Sequence, residues 1–203
     1  MTRFAATPPS ALRSWPTCAG DCNTTGVSTD PPCMWGSASY DETQCRLSTW
    51  RALVSIWQSG GAKSIGVSNY NSSQLQEIAD AGLPTPAVVQ NPFNIGHSSA
   101  EMATLAYCNA HNITFNGYSP FGVPDHKTYP AYPSTMLNDP VALAIGAAHG
   151  RTAAEVMLAW QWSLGIVVNP RSQNAAHMWD NLNDMDIELS ASEIQQLASR
   201  PQY

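Results

Sequence analysis

The sequence predicts an α/β protein built on a parallel sheet of the barrel type. Three short apolar segments each end in polar side chains: residues 64–68 run into a Ser-Asn pair, 87–90 end in a lone Gln, and 113–117 precede a Tyr and a Ser. Helical apolar periodicity follows these segments along the chain. Short strands that end in polar groups and alternate with helices are typical of parallel α/β barrels. We therefore expect functional side chains at the carboxyl ends of the strands.

Helices are predicted between these strands from apolar spacing and from capping residues. The first runs from near Thr43 to the Gly60-Gly61 pair, because its apolar residues recur on one helical face. The second is expected to begin at a Ser72 or Ser73 cap. The third is expected to begin at Ser98 or Ser99 and to close near His111. The first regular element is thus expected about 40 residues into the chain.

The pattern resumes after a Pro/Gly/Tyr-rich loop from Ser119 to about Met136. It predicts a short helix over 141–148, a helix opened by Thr152, a strand over 166–169 and a helical turn near Ala175. A capping box, Ser190-x-x-Glu193, opens the last helix. Four strands are clear, whereas a closed parallel barrel has eight. We therefore divide the chain into an irregular Cys/Pro/Gly-rich segment, 1–42, and a partial barrel, 43–203.

Composition excludes several classes of protein. The chain has 203 residues, a net charge of −6 and only 12% charged residues. No Lys/Arg cluster is present, which argues against a nucleic-acid partner. No apolar run approaches the ~20 residues of a membrane-spanning helix, so we expect no membrane partner. Residues 1–13 lack the continuous apolar stretch of a signal peptide.

Four of the five cysteines lie in one loop-rich region, at Cys18, Cys22, Cys33 and Cys45. They fit either unrelated thiols or two local disulfides, and the lack of a C-x-x-C pair makes a zinc site the weakest interpretation. Disulfides would indicate the secretory pathway, as would glycosylation sequons, although the chain's many Asn, Ser and Thr residues produce sequons by chance. We expect a cytoplasmic protein and keep the secretory alternative open.

Five motifs occur in an order that resembles a known family. They are I-G-V-S-N-Y-N at 65–71, A-V-V-Q-N at 87–91, Y-S-P-F-G at 118–122, H-G-R-T-A-A-E-V-M-L-A-W at 149–160 and V-V-N-P-R-S-Q-N-A-A-H-M-W-D-N-L at 167–182. Together they resemble the C-terminal half of an aldo-keto reductase, over about 49–198. The resemblance implies a (β/α)8 barrel of TIM type, here a partial barrel with about four strands. It also implies an oxidoreductase that binds NADP(H) and reduces an aldehyde or ketone.

The resemblance implies a nicotinamide end of a cofactor site. The residues matched to the family's carboxamide contacts are Ser68, Asn69 and Gln90. A carboxamide needs both donors and acceptors, which these side chains supply. Tyr118 matches the Tyr that stacks on the nicotinamide ring, and Ser119 and Phe121 follow in the loop matched to the pyrophosphate.

The resemblance also implies an adenosine end. The residues matched to the 2′-phosphate grip, after the last strand and at a helix start, are Arg171, Ser172, Gln173 and Asn174. An anion there gains from the guanidinium and from free amides at a helix N-terminus. Asp180 and Asn181 match positions that contact adenine. His177 stands where the family often has an Arg, so NAD(H) remains an alternative to NADP(H).

The sequence contains no recognisable catalytic set. In the family, a Tyr proton donor tuned by a Lys and an Asp comes from the first half of the barrel, and a His comes from an H-x-P motif; the nearest match here is Ser14-Trp15-Pro16. An untuned Tyr, with a pKa near ~10, is a poor general acid at neutral pH. We name no catalytic residue and no metal ligand.

The chain is either an incomplete piece of a reductase or a truncated, non-catalytic cofactor- or partner-binding remnant. A full-length relative would take a small-molecule carbonyl substrate, and the open barrel edges predict self-association of this chain.

Overall fold

The computed structural model describes residues 41–122, 136–183 and 187–200. Contacts divide the chain into two units, 1–49 and 50–203, and helix α1 runs across this boundary. The strands are β1 Gly66–Ser68, β2 Val88–Pro92, β3 Thr114–Tyr118 and β4 Val167–Asn169. The helices are α1 Glu42–Gln58, α2 Ser72–Asp80, α3 Ser99–Ala110, α4 Pro140–His149, α5 Ala153–Ser163, α6 Ala175–Asn183 and α7 Ala191–Ala198, with a 3-10 helix at Met136–Asn138.

The four strands form one parallel sheet in the order β1-β2-β3-β4. Gly66 pairs with Val88, Val89 with Phe115, and Gly117 with Val168. Helices α2 and α3 cross between the first three strands, and α4 and α5 lie between β3 and β4. The expected α/β class and the partial barrel of about four strands are therefore confirmed, because every connection returns the chain to the same end of the sheet.

One face of the sheet is the core. Val89 and Phe115 alternate inward along β2 and β3, and both are buried. Just past β2, the ring of Phe93 stacks on Trp160 of α5 at 5.7 Å and meets Phe115 edge-on at 5.6 Å. His97 completes this aromatic cluster, and burial lowers its pKa. Such ring contacts add stability beyond the area buried, and they hold α5 against the middle of the sheet.

The opposite face carries smaller and more polar side chains. Ser68, Gln90 and Asn116 lie side by side on it, because they share one register across β1, β2 and β3. Val167 of β4 continues the row and is 42% exposed. In a closed barrel this face is the interior.

The helix starts confirm most of the predicted caps. Ser98, Thr152 and Ser190 each accept a hydrogen bond from the amide three residues on, within full capping boxes. The expected Ser72 or Ser73 cap of α2 is wrong. Asn71 is the cap, since its side-chain oxygen accepts a hydrogen bond from the Gln74 backbone amide. In return, the Gln74 side-chain oxygen accepts one from the Asn71 backbone amide.

Two further elements differ from the expectation. The predicted turn near Ala175 is a nine-residue helix, and the 3-10 helix at 136–138 was not predicted. The predictions for Cys18, Cys22 and Cys33, and most of the segment 1–42, lie outside the described residues. In the described part of the chain, no helix is long and apolar enough to cross a membrane.

Candidate functional site

The carboxyl ends of β1, β2 and β3 are tied together by polar contacts. The Ser68 hydroxyl donates to the Gln90 carbonyl at 2.9 Å, and the Asn69 amide donates to the same oxygen at 3.0 Å. Asn69 leaves β1 in the left-handed region, with φ 60°, a conformation that Asn tolerates better than most residues. The Tyr118 hydroxyl donates to Asn69 Oδ1 at 2.8 Å. The Ser-Asn pair is therefore held in place by contacts to the ends of β2 and β3.

Two side-chain amides at this edge retain complementary hydrogen-bonding groups. Asn69 uses its oxygen to accept from Tyr118, and Gln90 uses its Nε2 to donate to Asn116 Oδ1 at 3.3 Å. Within the described residues, these bonds leave the Asn69 Nδ2 donor and the Gln90 Oε1 acceptor available. A donor and an acceptor on adjacent strands suit a primary carboxamide, which presents one group of each kind.

The chain leaves β3 through a second left-handed residue. Ser119 has φ 53°, and its carbonyl accepts from the Gly122 amide at 3.0 Å, which closes a tight turn. The Tyr118 carbonyl accepts from the Phe93 amide at 3.0 Å. This turn carries Ser119 and Phe121 over the end of the sheet, where both line a groove.

The groove has two adjoining parts. The first, about 840 Å³, lies over the ends of β3 and β4 and is lined by Tyr118, Ser119, Asn169, Gln173 and Asn174 among others. The second, about 680 Å³, lies between α4, α5 and α6 and is lined among others by Leu143, Arg151, Thr152, Asp180 and Asn181. The parts share the residues Phe121, Leu137, Arg171, Ser172 and His177. Volumes of this size are usual for small-molecule and cofactor sites.

The start of α6 is positioned by short-range side-chain contacts. Asn174 Oδ1 accepts from the Ala176 amide at 2.9 Å, and Ser172 Oγ accepts from the Asn174 amide at 3.1 Å. These bonds turn the chain directly after β4, so that α6 sends His177, Asp180 and Asn181 into the lining of the second part of the groove. One helix therefore supplies three of the side chains that the sequence singled out.

Charged side chains of both signs line the second part of the groove, since Glu155 and Asp180 are in the lining with two arginines. Arg151 and Arg171 both line it, together with His177. Arg151 pairs with the nearly buried Glu155 at 3.3 Å. None of the ion pairs found in the described residues involves Arg171. Its guanidinium remains available for an anionic ligand, and a phosphate can accept two of its hydrogen bonds at once.

The structure brings most of the predicted site residues into this groove. Three predicted residues do not line the groove: Ser68, Asn69 and Gln90. They are connected to its lining by the hydrogen bond from the Tyr118 hydroxyl to Asn69. Sequence reasoning missed Asn116 and Arg151. Asn116 is two residues before Tyr118, on the same face of β3, which was a usable signal. Arg151 precedes a helix cap and enters the lining only through the packing of α4 on α5.

Comparisons with known proteins identify the family of this chain. The model of the aldo/keto reductase family matches residues 27–200, and the chain belongs to that family. Aldo-keto reductase family 1 member A1 of Xenopus tropicalis is 32% identical over 163 residues, which cover 79% of this chain and 48% of that protein. The human protein of the same name is 30% identical over 80% of this chain and 49% of its own length.

Solved structures show the same likeness. An aldo-keto reductase of the silkworm Bombyx mori, AKR2E5, was solved in complex with NADPH. It is 32% identical to this chain with a TM-score of 0.68, and the match covers 77% of this chain and 48% of that one. This chain thus spans about half the length of the curated relatives it matches.

Proposed function

We propose that this chain binds NADP(H) in the groove at the carboxyl ends of β3 and β4, with NAD(H) as a weaker ligand. The observation that carries the proposal is the shared lining of Arg171, Ser172 and His177 at the junction of the two parts of the groove. This junction combines a cation that has no ion pair among the described residues with a hydroxyl and an imidazole. The relative solved with NADPH supports the assignment of the ligand.

The adenosine end of the cofactor fits the second part of the groove. Arg171 and Ser172 would hold the 2′-phosphate, next to the bonded turn made by Gln173 and Asn174 at the start of α6. A helix N-terminus favours an anion, which adds to the attraction of the guanidinium. Asp180 and Asn181 lie one turn further along α6 and would contact the adenine.

The nicotinamide end fits the row of polar groups on β1, β2 and β3. The Asn69 donor and the Gln90 acceptor would bind the carboxamide, and Ser68 holds the two strand ends together. Tyr118 would stack on the ring while its hydroxyl keeps Asn69 oriented. Between the two ends, Ser119 and Phe121 would contact the pyrophosphate. When bound, the nicotinamide supplies the hydride for reduction of a carbonyl group.

The reaction class we assign to the lineage is NAD(P)H-dependent reduction of an aldehyde or ketone. For the 203-residue chain itself we propose cofactor binding without efficient turnover. The supporting observation is the lack of a recognisable Asp, Tyr, Lys and His set in the sequence, since carbonyl reduction needs a tuned general acid. Purified chain, NADPH and a panel of aldehydes should show no consumption of NADPH. Turnover within tenfold of a typical ~10 s⁻¹ would contradict this.

Replacing Arg171 tests the cofactor assignment directly. Arg171→Ala should weaken NADPH about 10- to 100-fold, because a hydrogen-bonded charge contact is worth ~1.5–3 kcal/mol. Binding of NADH, which lacks the 2′-phosphate, should change by no more than about twofold. Fluorescence titration with both cofactors measures this. Arg51→Ala, which removes an equal charge from an exposed position on α1, is the matched control. Equal losses for NADPH and NADH would remove the phosphate assignment.

We also propose a cytosolic location. If mass spectrometry of non-reduced protein from the native source finds free thiols at Cys18, Cys22, Cys33 and Cys45, the result would agree with this location. Disulfides there would favour the secretory alternative.

A further inference from the structure

Helix α6 carries an apolar stripe on the side that the cofactor groove does not use. Ala175, Met178, Trp179 and Leu182 follow the i, i+3, i+4, i+7 spacing of one helical face. Met178 is 50% exposed, Trp179 63% and Leu182 67%. This α6 stripe is contiguous along the helix and contains the most exposed large apolar side chains of the described residues. Exposed apolar surface of this kind usually marks a contact with another protein surface.

The sheet beside α6 also ends without a partner. In the described ranges, β4 pairs only with β3, and β1 pairs only with β2. Among the residues that the structure describes, no strand pairs with the outer edge of β1 or of β4. Near β1, the end of α1 exposes Ile56 and Trp57, at 37% and 40%. Each lateral end of the sheet thus combines an open parallel strand with exposed apolar helix residues.

A second copy of the chain fits both ends at once. A two-fold axis along the strand direction keeps all strands parallel, and it places β4 of each copy beside β1 of the other. Two sheets of four strands then close into the eight-stranded ring of this fold class, in which no edge remains. Closure by two identical junctions also limits assembly to a dimer.

We infer that two copies of this chain close one barrel through β4 and the α6 stripe against β1 and the end of α1, and that this association strengthens binding of the cofactor. The second clause rests on the proposed function. The link is α6 itself, since its other face supplies His177, Asp180 and Asn181 to the groove. Covering the stripe fixes the helix that carries these residues. Dimerisation and cofactor binding must then favour each other by the same factor.

Sedimentation velocity from about 1 to 100 µM should show a reversible monomer–dimer equilibrium for the 203-residue chain. Leu182→Glu should weaken the dimer about 100-fold, because each of the two junctions loses about tenfold when a leucine contact is replaced by a charge. Leu182 does not line the groove. Ala106→Glu places the same charge on an exposed position of α3, between the middle strands, and should leave the dimer unchanged. Circular dichroism checks the folding of both, and Trp179→Glu serves as a second variant of the stripe.

The coupling has two measurements of its own. The affinity for NADPH should rise with the dimer fraction in the wild type and fall in Leu182→Glu. Hydrogen exchange of the α6 amides should slow as the protein concentration rises, with no cofactor present. A monomer throughout, species larger than a dimer, or a dimer that Leu182→Glu does not weaken would each overturn the inference. If the NADPH affinity or the hydrogen-exchange rate of α6 does not change with the dimer fraction, the proposed coupling is wrong. If NADPH binds at no concentration, the proposed function fails, while sedimentation and exchange still decide the inference.

Discussion

Gly66 is the position at which adding one methyl group should most strongly distort the candidate site. It lies at the start of β1, paired with Val88 of β2. A Cβ at Gly66 would lie 2.4 Å from Val88 Cγ1 and 2.5 Å from the Val88 carbonyl oxygen. The side chain can rotate, but the carbonyl belongs to the sheet backbone and cannot. Gly66→Ala should therefore push β1 away from β2, immediately before Ser68 and Asn69.

The expected loss of stability follows from two opposing effects. Overpacking one methyl group in a packed region costs about 1–3 kcal/mol. Ala is favoured over Gly in a strand by about 0.5–1 kcal/mol, because it has less backbone entropy to lose. With the middle of each range, the net destabilisation is about 1 kcal/mol. Since β1 has only three residues, the same shift should also lengthen the contacts from Ser68 and Asn69 to the Gln90 carbonyl.

Urea denaturation followed by circular dichroism measures this loss as a lower midpoint at an unchanged slope. Val88→Ala alone and the double variant form the control cycle. The double variant should recover part of the loss, since the contact with Cγ1 disappears, but not all of it, since the contact with the carbonyl remains. A Gly66→Ala protein as stable as the wild type, or a complete recovery in the double variant, would show that β1 does not press on the β2 backbone.

Three other changes test separate parts of the structure. Glu193 accepts hydrogen bonds from Ser190 and contacts His149 at 2.8 Å, and these contacts, the Ser190 bonds foremost, lower its pKa from the ordinary value of 4.5 to about 2. The ionised carboxylate therefore stabilises the fold above pH 4.5, and this stabilisation is lost as the pH falls toward 2. In denaturation curves, the difference in stability between the wild type and Glu193→Gln should narrow over that interval. Burial raises the pKa of the Cys108 thiol to about 11, so iodoacetamide at pH 8 should modify it only after unfolding, as mass spectrometry of the native and unfolded chain would show. Trp50→Phe removes the 2.9 Å hydrogen bond from the indole to the Pro84 carbonyl and should cost about 1 kcal/mol in urea denaturation, whereas no change would mean that water replaces the bond without loss.

Elements encoded by local signals were the ones that the sequence could predict. The prediction placed caps at Thr152, at Ser190 with its box partner Glu193, and at Ser98 or Ser99, and the structure confirms Thr152, Ser190 and Ser98. The cap of α2 was assigned wrongly although its signal was also local. Asn71 and Gln74 form the same kind of capping box with amide side chains. The prediction chose the neighbouring serines instead, because serine is also a favoured N-cap residue.

Features that depend on packing between distant elements were beyond sequence reasoning. The groove exists because α4 and α5 close over α6, which places Arg151 and Arg171 in one lining although they are far apart in sequence. Gly146 permits the close approach, since a Cβ there would lie 2.6 Å from the Arg151 carbonyl oxygen. The hydrophobic periodicity of the sequence does not indicate such contacts between distant elements. The family resemblance supplied Arg171 and His177 in advance, but Arg151 could be found only from the fold.

The positions of the proposed cofactor contacts explain why binding is the property by which this site should be judged. Every one of them lies on or directly after β1 to β4, or on α6, all within the part of the chain that folds as one sheet. Binding requires only that this half keep its shape, whereas reduction of a carbonyl also requires a proton donor that the sequence does not supply in recognisable form. Under the proposed function, the free energy of cofactor binding thus depends on groups of this sheet and α6, whereas the barrier of the chemical step depends also on a proton donor. Because we expect no efficient turnover from this chain, activity assays of its variants do not report on the groove. A loss of NADPH affinity in Arg171→Ala, with NADH affinity unchanged, tests the groove directly.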